Sequence, residues 1–430
     1  MREIGIGLIG FGTVGAGVVR CLRENSELLT ARLGFKPVLR RIADIDMERD
    51  RGIEVDKSIM TTDANLLIGD PEVNVVVELI GGTGVAYEYI KKALNAGKPV
   101  VTANKALLAK HGDDIFECAA RTKTDIYFGA SVGGGIPIIR VLREGLVANR
   151  IESIKGIVNG TCNYILSRMD QENVTFETAL KAAQKMGYAE SDPTLDIDGI
   201  DTAHKAVILA SLAFGFYMPF NAVHIEGIKN IAAADIRYAR DMGYKIKLMA
   251  VIKRDNNEVE VRVHPALIPL NHVMANVNGV YNAIMVTSDF AGSTLYYGRG
   301  AGREPTASTV LSDIVDVCRN IVSNAGYRVP PFMKTNTEIK PKKKSDIETR
   351  YYLRLMLADK PGVLAQITSI LGANNISIAS VLQKEGEENK FVPVVIMTHI
   401  AREGLIDAAL AEINKLNIVG SKTIKFRVED

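Results

Sequence analysis

Five acidic side chains, Glu190, Asp192, Asp196, Asp198 and Asp201, fall within twelve positions of the chain and are followed closely by Lys205. The residues after that lysine, 206–214, are almost wholly apolar, which predicts a buried helix over 201–214. On such a helix Asp201 and Lys205 stand four residues apart and share one face. A carboxylate and an ammonium carried to the edge of a core suit the binding of a small charged substrate. A solvated acidic loop followed by an ordinary helix ion pair has the same pattern. The elements around this segment must decide between the two.

The first of them lies at the start of the chain. An apolar run over 4–9 predicts a strand, and it leads through Gly10-Phe11-Gly12-Thr13-Val14-Gly15 into a helical pattern that extends to Leu22. Glycines at this spacing between a strand and a helix are what a dinucleotide-binding βαβ unit requires. Gly10 permits the tight turn, Gly12 lets backbone approach a pyrophosphate, and Gly15 lets the helix pack on the sheet. The N–H groups at the helix start then hold the phosphates. A glycine-rich turn without a ligand is the plain alternative.

The second strand, 37–43, carries Arg40 and Arg41 and is followed by Asp44 and Asp46. An acid at this strand end suits the ribose 2′-hydroxyl of NAD, and an arginine suits the 2′-phosphate of NADP. Both are present, with Lys57 as a further cation, so the cofactor is NADP or NAD, with a lean to NADP. A third buried strand, 73–79, ends in Gly81-Gly82-Thr83, and a fourth, 100–102, runs into Ala103-Asn104-Lys105. Ligands in open parallel sheets lie beyond the carboxyl ends of the strands. Gly81, Thr83, Asn104 and Lys105 therefore point at cofactor or substrate. A lysine is disfavoured at a helix start by the dipole, which argues for a functional reason at Lys105.

Further along, 130–139 holds three consecutive glycines before Pro137, leaving carbonyls free to meet a cation or ligand. The segment 156–169 reads as a strand, a turn at Asn159-Gly160-Thr161 capped by Thr161, and a helix. These two segments, Gly10–Gly15, Thr102–Ala106, Asp198–Lys205 and Gly298–Ser308 together resemble the homoserine dehydrogenase family, from the first strand to about Asn324. With the glycine turn so close to the start, the resemblance is to the form without a fused aspartokinase.

The resemblance implies reversible NAD(P)H-dependent reduction of L-aspartate 4-semialdehyde to L-homoserine, in threonine, methionine and isoleucine biosynthesis. Lys205 then matches the proton donor and Lys105 the second lysine of the site. Glu190 matches the residue that binds the substrate amino group, with Asp196 and Asp201 also in the site and Gly187 near homoserine. Gly302 would close over cofactor phosphates or ribose. His204, beside Lys205, reads as structural. The family's monovalent cation (Na⁺ or K⁺) contacts map to Gly129, Val132, Gly134 and Ile136. Glycine stands at 129, where relatives often carry glutamate, so the site survives here only if backbone carbonyls make it.

At the C-terminal end the polar, lysine-rich stretch 333–350 reads as a linker. Beyond it, strands at 351–357, 376–383, 391–398 and 418–427 alternate with helices at 363–373 and 403–416. This is the ferredoxin-like βαββαβ order. With its Asp359-Lys360-Pro361-Gly362 turn and Asn374-Asn375-Ile376, the module resembles an ACT domain. That implies dimeric pairing and a small amino-acid effector, threonine, at Gly362, Asn374 and Asn375. The expected fold is α/β. A Rossmann-type domain, 1–130, is completed by about 300–330. An α+β substrate-binding and dimerisation domain follows over 131–325, then the ACT module over 351–430.

Composition is compatible with all of this. The chain has 430 residues, 47% hydrophobic and 24% charged, with a formal net charge of +2. Such a balance gives no support to a general nucleic-acid binder. Its longest apolar run, 206–220, is too short and interrupted to span a bilayer. Four scattered cysteines without a C-x-x-C pair suit a reducing cytoplasm. The expected assembly is a homodimer or homotetramer. Two competing readings are an ACT-containing hydroxy-acid dehydrogenase, which would need a catalytic histidine, and a non-catalytic amino-acid sensor.

Overall fold

A computed structural model describes residues 1–331, 334–383 and 391–429. Position 333, the first of the expected linker, and positions 384–390 and 430 of the ACT module lie outside the described residues. The chain forms two compact units. One comprises 1–160, 203–220 and 281–339, the other 161–202, 221–280 and 340–430.

The first unit is built on six parallel strands: β1 (Glu3–Ile9), β2 (Lys36–Ala43), β3 (Met60–Thr61), β4 (Val75–Glu78), β5 (Val100–Thr102) and β6 (Ile126–Tyr127). Their order across the sheet is β3-β2-β1-β4-β5-β6, so the chain reverses direction beside β1, where the glycine turn sits. Ile4, Ile6 and Leu8 of β1 and Val75 and Val77 of β4 are buried in one core with Ala307, Val310, Leu311, Ile314 and Val317. The latter five belong to the helix Arg303–Val322. That helix completes the dinucleotide-binding half from the far end of the sequence. The same unit holds a second, antiparallel sheet in which Tyr281–Ser288 lies between Gly292–Arg299 and Ile151–Ile157.

The second unit is organised on a long hairpin, Tyr244–Asp255 with Glu258–Pro269. The ACT module follows the expected order closely: strands Glu348–Ala358, Ile378–Gln383, Phe391–Thr398 and Val419–Val428, with helices Val363–Ala373 and Glu403–Ile413. Its second helix stops at Ile413, three residues early, because Asn414 caps it and turns its side chain to Thr423.

The expected linker is not a free tether. Lys340–Pro341 pairs with Glu258–Val259 of the hairpin, and Lys342 binds Asp255 at 2.8 Å. Strand structure resumes at Glu348. Of the lysines read as a solvated stretch, Lys342 thus finds a carboxylate on the hairpin, while Lys340, Lys343 and Lys344 are exposed. The end of the last ACT strand also joins the hairpin, with Ala266 opposite Arg427 and Leu267 opposite Val428. No helix of the described residues is long and apolar enough to cross a membrane.

Candidate active site

In the first unit the glycine turn has the geometry its spacing implies. Gly10 takes φ +97°, a left-handed conformation that a side chain rarely adopts, and a Cβ there would lie 2.7 Å from the Leu79 carbonyl carbon. At Gly15 a Cβ would meet the Gly10 oxygen at 2.3 Å, so helix and turn touch through that glycine. A Cβ at Gly12 would meet no atom within 4 Å. The two outer glycines are thus required by the protein itself, and the middle one leaves open surface. No side chain caps the helix Thr13–Glu24, so the Thr13 and Val14 end remains available to an anion. These features fit a dinucleotide pyrophosphate.

The carboxyl end of β4 is held by a residue that motif reading passed over. Glu78 is fully buried and accepts from the Ile80 N–H at 2.9 Å, the Gly81 N–H at 3.2 Å and the Thr102 hydroxyl at 2.7 Å. Burial raises its pKa against those hydrogen bonds. It ties the loop carrying Gly81 and Thr83 to β5. Asn104 continues the tie: its amide donates to the Gly82 oxygen, and its side-chain oxygen caps the helix Lys105–Thr122 by accepting from the Leu107 N–H. Lys105 is thereby placed as the first residue of that helix. A buried glutamate in an apolar strand was the available signal for Glu78.

Lys205 lies on the helix Ile200–Phe214, 8% exposed, and its Nζ donates to the Val158 oxygen at 2.7 Å. Val158 follows the strand Ile151–Ile157. Asp201 is equally buried one turn earlier on the same helix. His204 packs against the Phe220 ring, 4.9 Å between centroids, in line with a structural role.

The cation-site segment is tightly built. Gly133 and Gly134 have positive φ, and the Gly134 carbonyl accepts from the Thr309 hydroxyl at 2.7 Å. The Ile136 carbonyl accepts from the Ile138 N–H. At Gly129 a Cβ would sit 2.9 Å from both carboxylate oxygens of Asp313, one of which accepts from the Gly129 N–H at 2.7 Å. A side chain at 129 would require the Asp313 carboxylate to shift.

Around β2 the cations differ from expectation. Arg40 pairs with Glu3 at 2.6 Å, Arg41 with Asp70 at 2.7 Å and Lys57 with Glu48 at 3.2 Å. Arg51, which the sequence reading did not single out, is the buried one. It pairs with Asp44 at 3.1 Å, donates to the Phe11 oxygen and lies over the Phe11 ring. Alternating acids and arginines over 44–51 were the signal for it. Gly302, at φ +117°, opens the helix that begins with Arg303.

In the second unit Gly187, at φ +71°, ends the helix Phe176–Lys185. Glu190 follows it, exposed and without an ion-pair partner among the described residues. Its backbone is fixed by Gln184, which donates to the Glu190 carbonyl at 3.2 Å. Thr161 is not a helix cap: it lies within the helix Gly160–Glu172 and its hydroxyl donates to the Tyr188 carbonyl at 2.6 Å. Asp192 binds Thr194, and Asp198 pairs with Lys229 at 2.7 Å, so these two acids are structural. Asp196, half-buried in the turn Thr194–Ile197, accepts through its carbonyl from the Cys162 thiol.

Within the ACT module Gly362 has φ +84° and opens the helix Val363–Ala373 without a side-chain cap. Asn374 donates back to the Ile370 carbonyl, and Asn375 takes φ +55°. His224, Glu226 and Glu403 present ligand atoms within 4.8 Å of one another. Arg427 bonds all three, which makes the cluster an ion-pair node.

The comparisons agree with this architecture. Residues 10–129 match the NAD-binding domain of homoserine dehydrogenase, 137–315 the homoserine dehydrogenase family and 351–417 the ACT domain. A homoserine dehydrogenase of Neisseria gonorrhoeae is 44% identical over 432 residues, covering 100% of this chain and 99% of that protein. The structure of a homoserine dehydrogenase from Thiobacillus denitrificans superposes with a TM-score of 0.95 at 45% identity, covering 100% of this chain and 99% of that one. A hyperthermophilic archaeal homoserine dehydrogenase in complex with NADPH matches 74% of this chain and 98% of its own, at 27% identity and a TM-score of 0.64. With relatives this similar over its whole length, the chain belongs to the homoserine dehydrogenase family, an oxidoreductase built on an NAD(P)-binding domain.

Proposed function

We propose that the chain catalyses the reversible reduction of L-aspartate 4-semialdehyde to L-homoserine, on the route to threonine, methionine and isoleucine. The observation that carries this reading is Lys205: a buried ammonium fixed by a main-chain carbonyl, in the same unit as an open glycine turn. The nicotinamide cofactor, NADPH or NADH, supplies hydride to the aldehyde carbon when bound. Gly10 to Gly15 hold its pyrophosphate, while Gly81, Thr83 and Gly302 shape the surrounding loops.

The carbonyl oxygen gains negative charge as hydride arrives, and it must receive a proton. An ammonium has three N–H donors. Lys205 uses one on Val158 and transfers a proton from another to the substrate oxygen, becoming a neutral amine that solvent reprotonates. Lys105 orients the carbonyl or the amino-acid group. Glu190 binds the substrate ammonium, assisted by Asp196 and Asp201, with Gly187 beside it. The free carboxylate of Glu190 supports that role. In the reverse direction Lys205 takes the hydroxyl proton.

The reading extends to a Na⁺ or K⁺ ion on the carbonyls of Gly129, Val132, Gly134 and Ile136. Gly134 and Ile136 already accept one hydrogen bond each and retain a second lone pair. It also places threonine, as feedback inhibitor, at Gly362, Asn374 and Asn375, in a cytoplasmic homodimer or homotetramer. Following NADPH and NADH absorbance with L-aspartate 4-semialdehyde, with and without threonine, tests it. Oxidation supports the reaction, and suppression by threonine supports the effector site. No turnover with either cofactor would overturn the assignment and favour an amino-acid sensor.

A further inference from the structure

Arg427, wholly buried near the end of the last ACT strand, joins two acids from different elements. Its Nε donates at 2.8 Å to Glu403, the first residue of the helix Glu403–Ile413. Its Nη1 and Nη2 donate to the two carboxylate oxygens of Glu226 at 2.9 and 3.0 Å. His224 lies beside them, its Nε2 2.6 Å from Glu226. A planar fork of this kind fixes both the place and the plane of the Glu226 carboxylate.

Glu226 in turn begins the segment on which the acidic turn is docked. Its N–H donates to the Val263 carbonyl of the hairpin at 2.7 Å. Gly227 touches the turn through its backbone: a Cβ there would run into the Ile197 carbonyl and lie 2.6 Å from the Asp198 Cα. Ile228, wholly buried, donates its N–H to the same carbonyl at 2.8 Å, and Lys229 pairs with Asp198 at 2.7 Å. Gly199, at φ +83°, packs so closely that a Cβ would come within 3.2 Å of Ile225 and 3.1 Å of Val263. Residues 225–229 therefore hold 197–199, and that turn separates Asp196 from Asp201, two of the acids assigned to the substrate. Every residue in this run of contacts belongs to the second unit.

We infer that Arg427 is a positioning residue for the substrate acids: the ACT module, through Arg427 and Glu226, sets where the turn 196–201 stands, with no effector required. The inference rests on the substrate reading above. Glu226 follows a strand of only two residues, His224–Ile225, so its side-chain anchor matters more than it would beside a long ladder. A turn released from that anchor carries its carboxylates off the substrate ammonium. Substrate binding then weakens, while the glycine turn and its cofactor are untouched.

Kinetics of L-homoserine oxidation at saturating cofactor test it, with Tm and the Kd for NADPH measured on the same full-length proteins. Arg427 is wholly buried and its removal also costs stability, so the substitution is made at the part-exposed Glu226. Glu226→Gln keeps the side-chain volume and removes the charge that Arg427 grips. It should raise KM for L-homoserine about fivefold, the size of a coupling carried through packed side chains. Its kcat and Kd for NADPH should each stay within about twofold of the parent. Glu403→Gln, which weakens the other anchor of Arg427, should raise the same KM, and the double variant should fall short of the product of the two effects. Arg354→Gln breaks a different ACT contact, the pair with Asp235 at 2.5 Å; it should lower Tm and leave KM unchanged. An unchanged KM in Glu226→Gln, or an equal rise in Arg354→Gln, would overturn the inference and leave the dehydrogenase reading intact. No oxidation of L-homoserine by the parent protein would overturn both.

Discussion

Nζ of Lys205 donates a 2.7 Å hydrogen bond to the main-chain oxygen of Val158. This contact joins a helix whose body is almost entirely apolar to the residue that follows a strand of the first unit. A lysine only 8% exposed normally costs stability, since its charge leaves water. The carbonyl offsets part of that cost and fixes where the ammonium points. A fixed, largely desolvated ammonium is suited to delivering one proton in one direction.

Replacing Lys205 by alanine should therefore lower kcat by about 10²–10⁴-fold, the usual contribution of a positioned acid. The Kd for NADPH should stay within about twofold, because catalysis and cofactor binding are separate differences. Steady-state kinetics and fluorescence titration of one preparation decide it. A kcat near that of the parent would remove Lys205 from the chemistry.

The glycine turn allows a sharper comparison. At Gly15 the added methyl of alanine has no space, 2.3 Å from the Gly10 oxygen, whereas at Gly12 it meets nothing within 4 Å. Gly15→Ala should thus destabilise the fold by about 1–3 kcal/mol, as overpacking does. Gly12→Ala should leave Tm unchanged and raise the Kd for the cofactor about tenfold, since the methyl occupies the approach to the helix start. Thermal melts paired with titrations separate the two. Equal loss of Tm in both variants would mean that Gly12 is structural.

The contrast between these glycines also marks what could be read from the chain. Gly10 to Gly15 were legible because turn, pyrophosphate and helix packing are all satisfied within six consecutive residues. The ACT strands were legible because alternation and turn residues are local as well. Arg51, Glu78 and Arg427 were not, since each acts through partners brought to it by the fold. Arg427 binds Glu226, two hundred and one positions away. Within the lysine run 340–344, Lys342 alone departed from the solvated reading for the same reason: its carboxylate, Asp255, is brought to it by the fold.

The docking of the last ACT strand onto the hairpin constrains how regulation can be dissected. Glu429 donates its N–H to the Leu267 carbonyl, and its carboxylate pairs with Arg262 at 2.7 Å. The Arg262 side chain is wholly buried. Cutting the chain at Arg350 would take Glu429 away and leave that guanidinium with Glu260 alone, at 3.2 Å. Loss of one member of a buried pair costs about 3–5 kcal/mol. The truncated protein should accordingly melt at lower temperature, with Glu429→Ala reproducing much of the loss at full length. A truncation as stable as the parent would show that the pair contributes nothing.

Glu403 supplies the clearest dependence on pH. It opens the helix Glu403–Ile413, fully buried, and its carboxylate accepts from the Tyr351 hydroxyl at 2.7 Å, Arg427 Nε at 2.8 Å and Lys425 at 2.5 Å. Burial alone would raise its pKa, but Arg427 and Lys425 outweigh that and hold it at about 2. In the unfolded chain a glutamate titrates near about 4.3. Between those values the unfolded state binds more protons, so stability is fully present above about pH 5 and drains away as pH falls toward 2. A difference of about two units amounts to roughly 3 kcal/mol. Glu403→Gln should consequently be less stable than the parent at pH 7, and the gap should close as pH drops from 5 to 2. Melting both proteins across that range checks it, and parallel curves would show that the Glu403 proton is not what the acid limb reports.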